Sequence, residues 1–282
     1  MGFLCDLHTH SCYSDGSYTP GQLVKAAEQI GLGAIALTDH NTVSGLAEFT
    51  RSAEGHPIEA VPGIEFSTDY NGKELHIVGL FIRPEHHSQI TDFLKETLDR
   101  KETANLMLID ELEKVGVHLD YGRIKAGTPH GMVNRALIAY EMTIKEYTTS
   151  VEDAFERYLR RSRGLYTPPE ISNAYDVIEF IKSLGSVAIL GHPYVNLTHD
   201  ELLEFLPHAV ECGLDGMETI SPLFPDYNMK RADEVADAFG LLKSGGSDFH
   251  GVNKPKNKLG SGLDGNIAVP MEFLEKLKAA VK

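Results

Sequence analysis

The segment of residues 6–16, DLHTHSCYSDG, constrains this chain more than any other part of it. The apolar residues 3–7 predict a buried strand that leads into His8 and His10. Alternate residues of a strand point to the same face, so the two imidazoles are directed to one place, and the following Ser-Asp-Gly turn brings Asp15 back toward it. Two imidazoles and a carboxylate suit Zn, Mn or Fe. The alternative is a chance pair of surface histidines, because His-x-His alone is a weak signal.

The later chain repeats this pattern of a short apolar strand followed by a side chain that can bind a metal. Strands are predicted to begin near residues 3, 34, 58, 74, 186, 216 and 241, with helical segments between most of them. Parallel strands of an α/β fold carry their functional groups at their carboxyl ends. We therefore predict an α/β fold of seven strands whose ends form one site. The candidate ligands are His8, His10, Asp15, His40, Glu65, His76, His192, Asp248 and His250.

This set of six imidazoles and three carboxylates is larger than one tetrahedral metal needs. With a bridging carboxylate it could hold two or three divalent ions, and Mn, Zn and Fe suit these donors better than Ca or Mg. The alternative is that several of the nine are core residues or supports for the ligands. Asp6 and Asp39 are predicted to be such supports, orienting ligands from behind.

Asn71-Gly72 lies between two strand-like runs, which is a strong signal for a two-residue hairpin. If Tyr70 pairs with Lys73, then Ser67 pairs with His76, and Glu65 lies on the face of His76 as its diagonal neighbour. Such neighbours are roughly 7–8 Å apart, within reach of one metal. A register slip of one residue would separate them.

The strand pattern stops between residues 84 and 165, where the periodicity is helical. We predict an inserted helical subdomain over 84–165, placed as a lid on the mouth of a barrel formed by 1–83 and 166–282.

Composition limits the functions that remain. The net charge of −15 disfavours binding of long nucleic acids, whereas a small phosphorylated substrate drawn in by buried metal is compatible with it. No run approaches the roughly 20 apolar residues of a membrane span. The three cysteines do not form a disulfide framework, and no signal peptide precedes the first strand, so we expect a cytoplasmic protein without a membrane partner.

The order of these motifs resembles that of the polymerase-and-histidinol-phosphatase (PHP) superfamily, from Asp6 to His250. The resemblance implies a distorted seven-stranded (β/α) barrel, a metal-dependent phosphoesterase and a centre of two or three metals. The motifs that carry it are Asp6-Leu7-His8-Thr9-His10-Ser11 with Ser14-Asp15-Gly16, Thr38-Asp39-His40-Asn41, Pro62-Gly63-Ile64-Glu65, Gly191-His192-Pro193 and Ser247-Asp248-Phe249-His250.

Carried over motif by motif, the resemblance implies a ligand set for each ion. Many members of the superfamily have histidine where Asp15 stands, so the third ion departs from the common pattern. The catalytic residues implied are Asp15, His40, Glu65, His192 and Asp248. The first ion takes His8, His10, Glu65 and Asp248; the second takes Glu65, His76 and His192; and the third takes Asp15, His40 and His250.

The helical insert and the run Pro129-His130-Gly131-Met132-Val133-Asn134-Arg135-Ala136-Leu137 resemble one branch of this superfamily. That branch hydrolyses nucleoside 3′,5′-bisphosphates and AMP-like monoesters, and relatives in it trim the 5′ ends of short RNA. The implied reaction is hydrolysis of a phosphomonoester of a small nucleotide by a metal-bridged hydroxide.

Three residues are candidates for holding the substrate phosphate: His130, Arg135 and Lys254. Arg135 could instead form a surface ion pair with Glu141 or Asp153, and Lys254 could lie in a solvated loop. Three alternative functions remain open at this point: a histidinol-phosphate phosphatase, a 5′–3′ exonuclease on short RNA, and a non-catalytic regulatory PHP domain.

Overall fold

The structure is a computed structural model that describes residues 4–128 and 133–282. The strands are β1 Leu4–Asp6, β2 Ala34–Leu37, β3 Glu59–Tyr70, β4 Lys73–Leu80, β5 Val187–Gly191, β6 Gly216–Ile220, β7 Leu242–Gly245, β8 Asn257–Lys258, β9 Gly262–Leu263 and β10 Val269–Pro270. The main sheet contains eight of them in the order β10-β1-β2-β3-β4-β5-β6-β7, and β8 and β9 form a separate small hairpin.

The sheet is mixed and nearly closes into a barrel. Strands β1, β2 and β3 are parallel, β4 runs antiparallel to both β3 and β5, and β5, β6 and β7 are again parallel. The segments after β1 and β7 meet, because the Leu7 amide donates to the Gly245 carbonyl at 3.1 Å and the Asp248 amide to the His8 carbonyl at 3.0 Å. Closure therefore brings the first and last predicted ligand motifs side by side.

The seven predicted strands are all present, and the structure adds β10 to the main sheet, antiparallel to β1, and the separate hairpin of β8 and β9. A strand of two residues is too short to show the alternation by which strands are recognised in a sequence. The hairpin prediction is confirmed in register: Tyr70 pairs with Lys73 and Ser67 pairs with His76. Asn71 and Gly72 both have positive φ, at 52° and 77°, as the two-residue turn requires.

Helices connect the strands and cover the sheet. Helix α1 begins where its sequence signals predict, because Thr19 caps it reciprocally with Gln22 and Pro20 occupies the first turn. The helices are α1 Pro20–Gln29, α2 Leu46–Ala53, α3 His87–Lys114, α4 Tyr121–Ala126, α5 Arg135–Ile144, α6 Val151–Ala154, α7 Ala174–Ser183, α8 His199–Glu211, α9 Asp226–Phe239 and α10 Met271–Lys278.

The chain divides into two compact units, one of residues 1–91 with 172–282 and one of residues 92–171. The first bound differs from the predicted residue 84 because α3 starts inside the barrel unit, where Ile90 is fully buried, and the second lies at 171 against a predicted 165. The barrel core contains Leu7, Val61 and Ile189. The helical unit has an apolar core of its own, formed by Leu108, Leu112, Ile138, Ala139, Met142, Ala154 and Leu159. Among the described helices, none has the length and apolar composition needed to traverse a bilayer.

Candidate metal centre

Glu65 lies fully buried on β3 and faces imidazoles with both of its carboxylate oxygens. Its Oε1 atom is 2.6 Å from His76 Nδ1 and 3.0 Å from His192 Nε2. His76 comes from β4 and His192 from the end of β5, so three neighbouring strands supply this side of the site. The hairpin register places Glu65 and His76 as the diagonal neighbours that the sequence predicts.

The other carboxylate oxygen, Oε2, faces three histidines that precede Glu65 in the sequence. It lies 3.1 Å from His8 Nε2, 3.2 Å from His10 Nε2 and 3.0 Å from His40 Nδ1. Ring nitrogens of His8 and His10 are themselves 3.1 Å apart, as expected for side chains two residues apart on one face. Five imidazoles therefore surround one carboxylate.

Asp15 and Asp248 extend the cluster on the side of His250. Asp15 Oδ1 lies 3.1 Å from His250 Nε2, and Asp15 Oδ2 lies 3.9 Å from His40 Nε2. Asp248 Oδ1 lies 3.3 Å from His10 Nε2 and 3.5 Å from His250 Nδ1. The structure thus brings all nine predicted ligands into one continuous cluster.

The backbone at this end of the barrel adopts conformations that favour glycine at two of the ligands. His192 has φ 23° and Asp248 has φ 50°. Non-glycine residues at positive φ are uncommon and collect at functional sites. Gly246 permits the close approach of the two ends of the sheet, because a Cβ atom there would lie 2.4 Å from the His8 backbone nitrogen. The loops that carry His192 and Asp248 therefore hold strained backbone conformations, and these direct the two side chains into the cluster.

Asp6 and Asp39, which are expected to orient ligands, bond to the loops beside the ligand motifs, and Asp6 also accepts from the amide of His8 at 3.4 Å. Asp6 accepts hydrogen bonds from the Ser247 amide at 2.8 Å and from its hydroxyl at 2.5 Å. Asp39 accepts from the Ser11 amide at 2.7 Å and from the Ser14 hydroxyl at 2.5 Å. Each aspartate thus fixes the backbone beside a ligand motif, and none of these bonds is made to an imidazole.

Glu218 on β6 contacts two of the predicted ligands, His8 and His192, and sequence reasoning missed it. Its Oε1 atom accepts from His8 Nδ1 at 2.6 Å, and its Oε2 atom accepts from the His192 amide at 2.6 Å. A glutamate within the short apolar strand GMETI was the signal that could have found it. The pattern of ligands at strand ends does not identify Glu218, because this residue precedes the end of its strand.

The charges of the cluster favour a cation. Burial raises the pKa of Glu65, but the imidazoles of His40 and His76 outweigh burial and hold that pKa well below its usual range. Burial lowers the pKa of His10, yet bonds to Asp248 and Glu65 raise it to about 9. His76 follows the same balance, with its pKa raised to about 10 by Glu65, whereas burial lowers the pKa of His40 to about 3. Binding of a divalent ion to these imidazoles would therefore displace their protons and release them to solvent.

The donor atoms fit such ions. Within the described residues, His10 Nδ1, His40 Nδ1, Glu65 Oε2 and His250 Nε2 are buried and make no well-aligned hydrogen bond, although polar atoms of the cluster lie near several of them, and buried polar atoms without such bonds are costly. Three groups have ligand atoms within 4.8 Å of one another. Imidazole and carboxylate donors without thiolates suit borderline and hard transition ions. The groups are His10 with Asp15, His40 and His250; His8 with His10 and Glu65; and His40 with Glu65 and His76.

The three residues predicted to contact the substrate phosphate lie in different parts of the chain and have different neighbours. Lys254 Nζ lies 2.9 Å from Asp248 Oδ2, and 45% of the Lys254 side chain is exposed. In the helical unit, the Arg135 guanidinium lies 4.2 Å from the centroid of the Tyr166 ring. His130 lies outside the described residues.

Glu141 and Asp153, the alternative ion-pair partners considered for Arg135, pair with other arginines. Glu141 pairs with Arg123 at 3.1 Å and Asp153 with Arg157 at 3.2 Å. The guanidinium of Arg135 is therefore engaged by the Tyr166 ring in place of a carboxylate.

The fold and the site together define a class: a mixed α/β barrel with a cluster of histidines and carboxylates, capable of binding metal, at the ends of its strands. The chain belongs to the PHP domain family, whose model matches residues 6–184. A solved structure from Bifidobacterium adolescentis shares the fold, with a TM-score of 0.87 at 23% identity, over 99% of this chain and 96% of that one. The predicted family and barrel fold are confirmed.

Curated relatives extend the comparison over most of the chain. A 5′-3′ exoribonuclease of Haemophilus influenzae is 32% identical over 87% of this chain and 89% of its own length. A phosphoribosyl 1,2-cyclic phosphate 1,2-diphosphodiesterase of Eggerthella lenta is 30% identical, over 87% and 94%. A 3′,5′-nucleoside bisphosphate phosphatase of Chromobacterium violaceum is 29% identical, over 87% and 86%. All three hydrolyse phosphate esters, and at this level the prediction of a phosphoesterase is confirmed.

Proposed function

We propose that this chain is a metal-dependent phosphatase that removes phosphate from a small nucleotide, either a nucleoside 3′,5′-bisphosphate or an AMP-like monoester. The observation that supports this most strongly is the convergence of five imidazoles on the two carboxylate oxygens of Glu65. The relative from Chromobacterium violaceum acts on a nucleoside bisphosphate, and its similarity extends over 87% of this chain. We place the enzyme in the cytoplasm, without a membrane partner.

Two or three divalent ions, Mn, Zn or Fe, are assigned to the centre, where they would acidify a water molecule and polarise phosphoryl oxygens. Glu65 is the shared ligand in this proposal, because each of its oxygens faces a different set of imidazoles. The first ion is assigned to His8, His10, Glu65 and Asp248; the second to Glu65, His76 and His192; and the third to Asp15, His40 and His250.

Cationic side chains of the chain are assigned to the substrate phosphate. Lys254 is partly exposed and its ammonium group already lies beside the proposed ligand Asp248, so it can contact a phosphoryl oxygen from the solvent side. Arg135 is assigned the same task because a guanidinium group matches two phosphate oxygens at once, and His130 would assist it.

Phosphate release by purified protein tests this function directly. With Mn and adenosine 3′,5′-bisphosphate we expect inorganic phosphate to appear, and we expect the rate to collapse on chelation or in the His192→Ala variant. His208→Ala provides the matched control, because His208 is an exposed histidine on α8 that bonds to Glu211. Phosphate release that survives both chelation and His192→Ala would contradict the metal mechanism.

Hydrolysis of short RNA from its 5′ end is the second candidate, favoured by the 32% identity to the exoribonuclease of Haemophilus influenzae. A 5′-phosphorylated oligomer of a few nucleotides would then be cleaved with a higher kcat/KM than adenosine 3′,5′-bisphosphate. Its binding would weaken steeply with salt, since RNA contacts release counterions. A higher kcat/KM for the mononucleotide at every salt concentration would favour the phosphatase.

Two further alternatives are separated by the same screen. A histidinol-phosphate phosphatase would hydrolyse histidinol phosphate, which carries no nucleobase, with a higher kcat/KM than any nucleotide. A non-catalytic regulatory domain would bind metal and release no phosphate from any of these compounds.

A further inference from the structure

Glu218 forms two of the shortest hydrogen bonds in the metal centre. It contacts His8 and His192 on the sides that face away from Glu65. It lies on β6, is 2% exposed, and follows the strand alternation that turns its side chain inward. Its two carboxylate oxygens accept from His8 Nδ1 and from the amide of His192, both at 2.6 Å. Burying a carboxylate is costly unless hydrogen bonds compensate it.

We propose that Glu218 is a positioning residue that holds two proposed metal ligands, His8 and His192, in their binding geometry at the same time. The inference rests on the proposed function only in taking these two histidines as ligands. It assigns to one side chain the support of two predicted ligands that follow different strands.

For His8, the carboxylate selects the tautomer. The bond from Nδ1 to Glu218 Oε1 keeps a proton on Nδ1, which leaves the lone pair of a neutral imidazole on Nε2. That Nε2 atom is the one directed into the centre, 3.1 Å from Glu65 Oε2. A carboxylate behind a ligating histidine commonly fixes both the tautomer and the orientation of the ring.

For His192, the same carboxylate stabilises a strained backbone. The His192 amide donates to Glu218 Oε2, and the residue has φ 23° and ψ 59°, immediately before Pro193. This conformation directs His192 Nε2 toward Glu65 Oε1, at 3.0 Å. The rings of His8 and His192 lie 5.4 Å apart and are stacked, so a shift of Glu218 would change the spacing of two ligands together.

Both bonds require an acceptor, which explains why a carboxylate stands at this position. Glutamine offers one acceptor and one NH₂ donor. If the NH₂ group faced His8, the imidazole could accept from it only by moving its proton to Nε2, which removes the ligating lone pair. If the NH₂ group faced His192, a buried amide would lose its partner, so that the strained loop would be held less firmly.

Metal titration of apo-protein tests the proposal without any substrate. We expect Glu218→Gln to raise the dissociation constants for Mn and Zn, measured by competition with a chelating dye, by roughly 10–100-fold. Asp215→Asn is the matched control, because Asp215 Oδ2 also joins two elements, accepting from the Ala188 amide at 2.8 Å and from Lys182 at 2.6 Å. It should lower stability and leave metal affinity unchanged.

The imidazole resonances of ¹⁵N-histidine protein provide a second readout, which a merely structural role would not change. In the zinc-bound wild type we expect one strongly hydrogen-bonded Nδ1 proton that disappears in His8→Gln and shifts in Glu218→Gln. Glu218→Asp, whose shorter carboxylate can keep only one of the two bonds, should have intermediate affinity, and it decides the question if Glu218→Gln fails to fold.

Two outcomes separate this inference from the proposed function. Wild-type affinity together with an unshifted Nδ1 proton in a folded Glu218 variant would overturn the role of Glu218. Wild-type protein that binds metal tightly and releases no phosphate would overturn the proposed function and leave the comparison of Glu218 variants valid.

Discussion

At the scale of single residues, Glu65 is distinguished by the number of imidazoles that its two oxygens face. Its Oε1 atom faces His76 and His192, and its Oε2 atom faces histidines from the amino-terminal half of the chain. A neutral glutamine at this position would keep one acceptor and lose the negative charge that several imidazoles share.

We therefore expect Glu65→Gln to lose bound metal and to release phosphate more slowly by roughly 100-fold or more, which corresponds to at least about 2.7 kcal/mol of lost transition-state stabilisation. Elemental analysis and initial rates measure the two effects. Glu59→Gln is the control, since Glu59 lies on the same strand and pairs with Lys278. A Glu65→Gln protein with the full metal content of the wild type would show that Glu65 is not a ligand.

Asp15 contributes the carboxylate of a different group, with His250 Nε2 at 3.1 Å. Asp15→Asn should weaken the binding of one ion while the ions at Glu65 stay bound. At limiting free metal, the metal content should therefore fall by one ion per chain. Asp15→His should restore this ion, because imidazole is also a metal ligand. Proportional loss of every ion in Asp15→Asn would indicate a single cooperative cluster.

At the scale of elements, local signals were sufficient wherever a ligand follows an apolar strand or lies in a well-defined turn. The hairpin β3–β4 shows this most clearly, because Asn71-Gly72 fixed the register and the register fixed Glu65 against His76. The strand β10, in contrast, forms because it pairs with β1 from the other end of the chain. Its two residues are too few to show any periodicity in the sequence.

Interactions over long sequence distances explain the other differences from expectation. Asp6 bonds to Ser247 and Glu218 bonds to His8, contacts that separations of 241 and 210 residues conceal from any local pattern. Asp6 shares a face with His8, which predicts a role beside the ligands, but closure of the barrel brings the loop after β7 to its carboxylate. Periodicity predicts the direction of a side chain and does not identify its partner.

The turn of the β3–β4 hairpin gives a prediction about stability. Gly72 has φ 77°, and a Cβ atom added there would meet no atom within 4 Å, so Gly72→Val would be penalised by backbone conformation alone. We expect the free energy of unfolding to fall by roughly 1–2 kcal/mol, measured by urea denaturation. Asn71→Gly, at φ 52°, is the control and should change stability much less. An unchanged midpoint for Gly72→Val would mean that the turn can rearrange without loss.

At the scale of the whole molecule, negative charge is distributed over the chain while the centre collects imidazoles. The net charge of −15 counts the histidines as neutral, and six of the 13 histidines lie in the cluster. Metal ions bound there would add positive charge where carboxylates converge and would cross-link β3 and β4 with the segments that follow β1, β2, β5 and β7. Because ions that bind the native state stabilise it, their removal should destabilise the unit that holds them.

Hydrogen exchange measured by mass spectrometry can resolve this effect by unit. Removal of metal by a chelator should speed exchange at the ends of the barrel strands, above all in residues 7–15, 187–192 and 244–250. If free metal is initially at roughly 100 times its dissociation constant, its removal corresponds to about 2.7 kcal/mol of lost stability for each site.

The helical unit, 92–171, serves as the internal reference for this experiment. It has a separate apolar core that includes Leu112 and Met142, and its exchange should change much less than that of the barrel. Equal acceleration in both units would show that they unfold together and that the metal centre stabilises the entire chain. Unchanged exchange in the barrel would show that the cluster forms its structure without ions, so that the buried imidazoles and carboxylates are held in place by the loops alone.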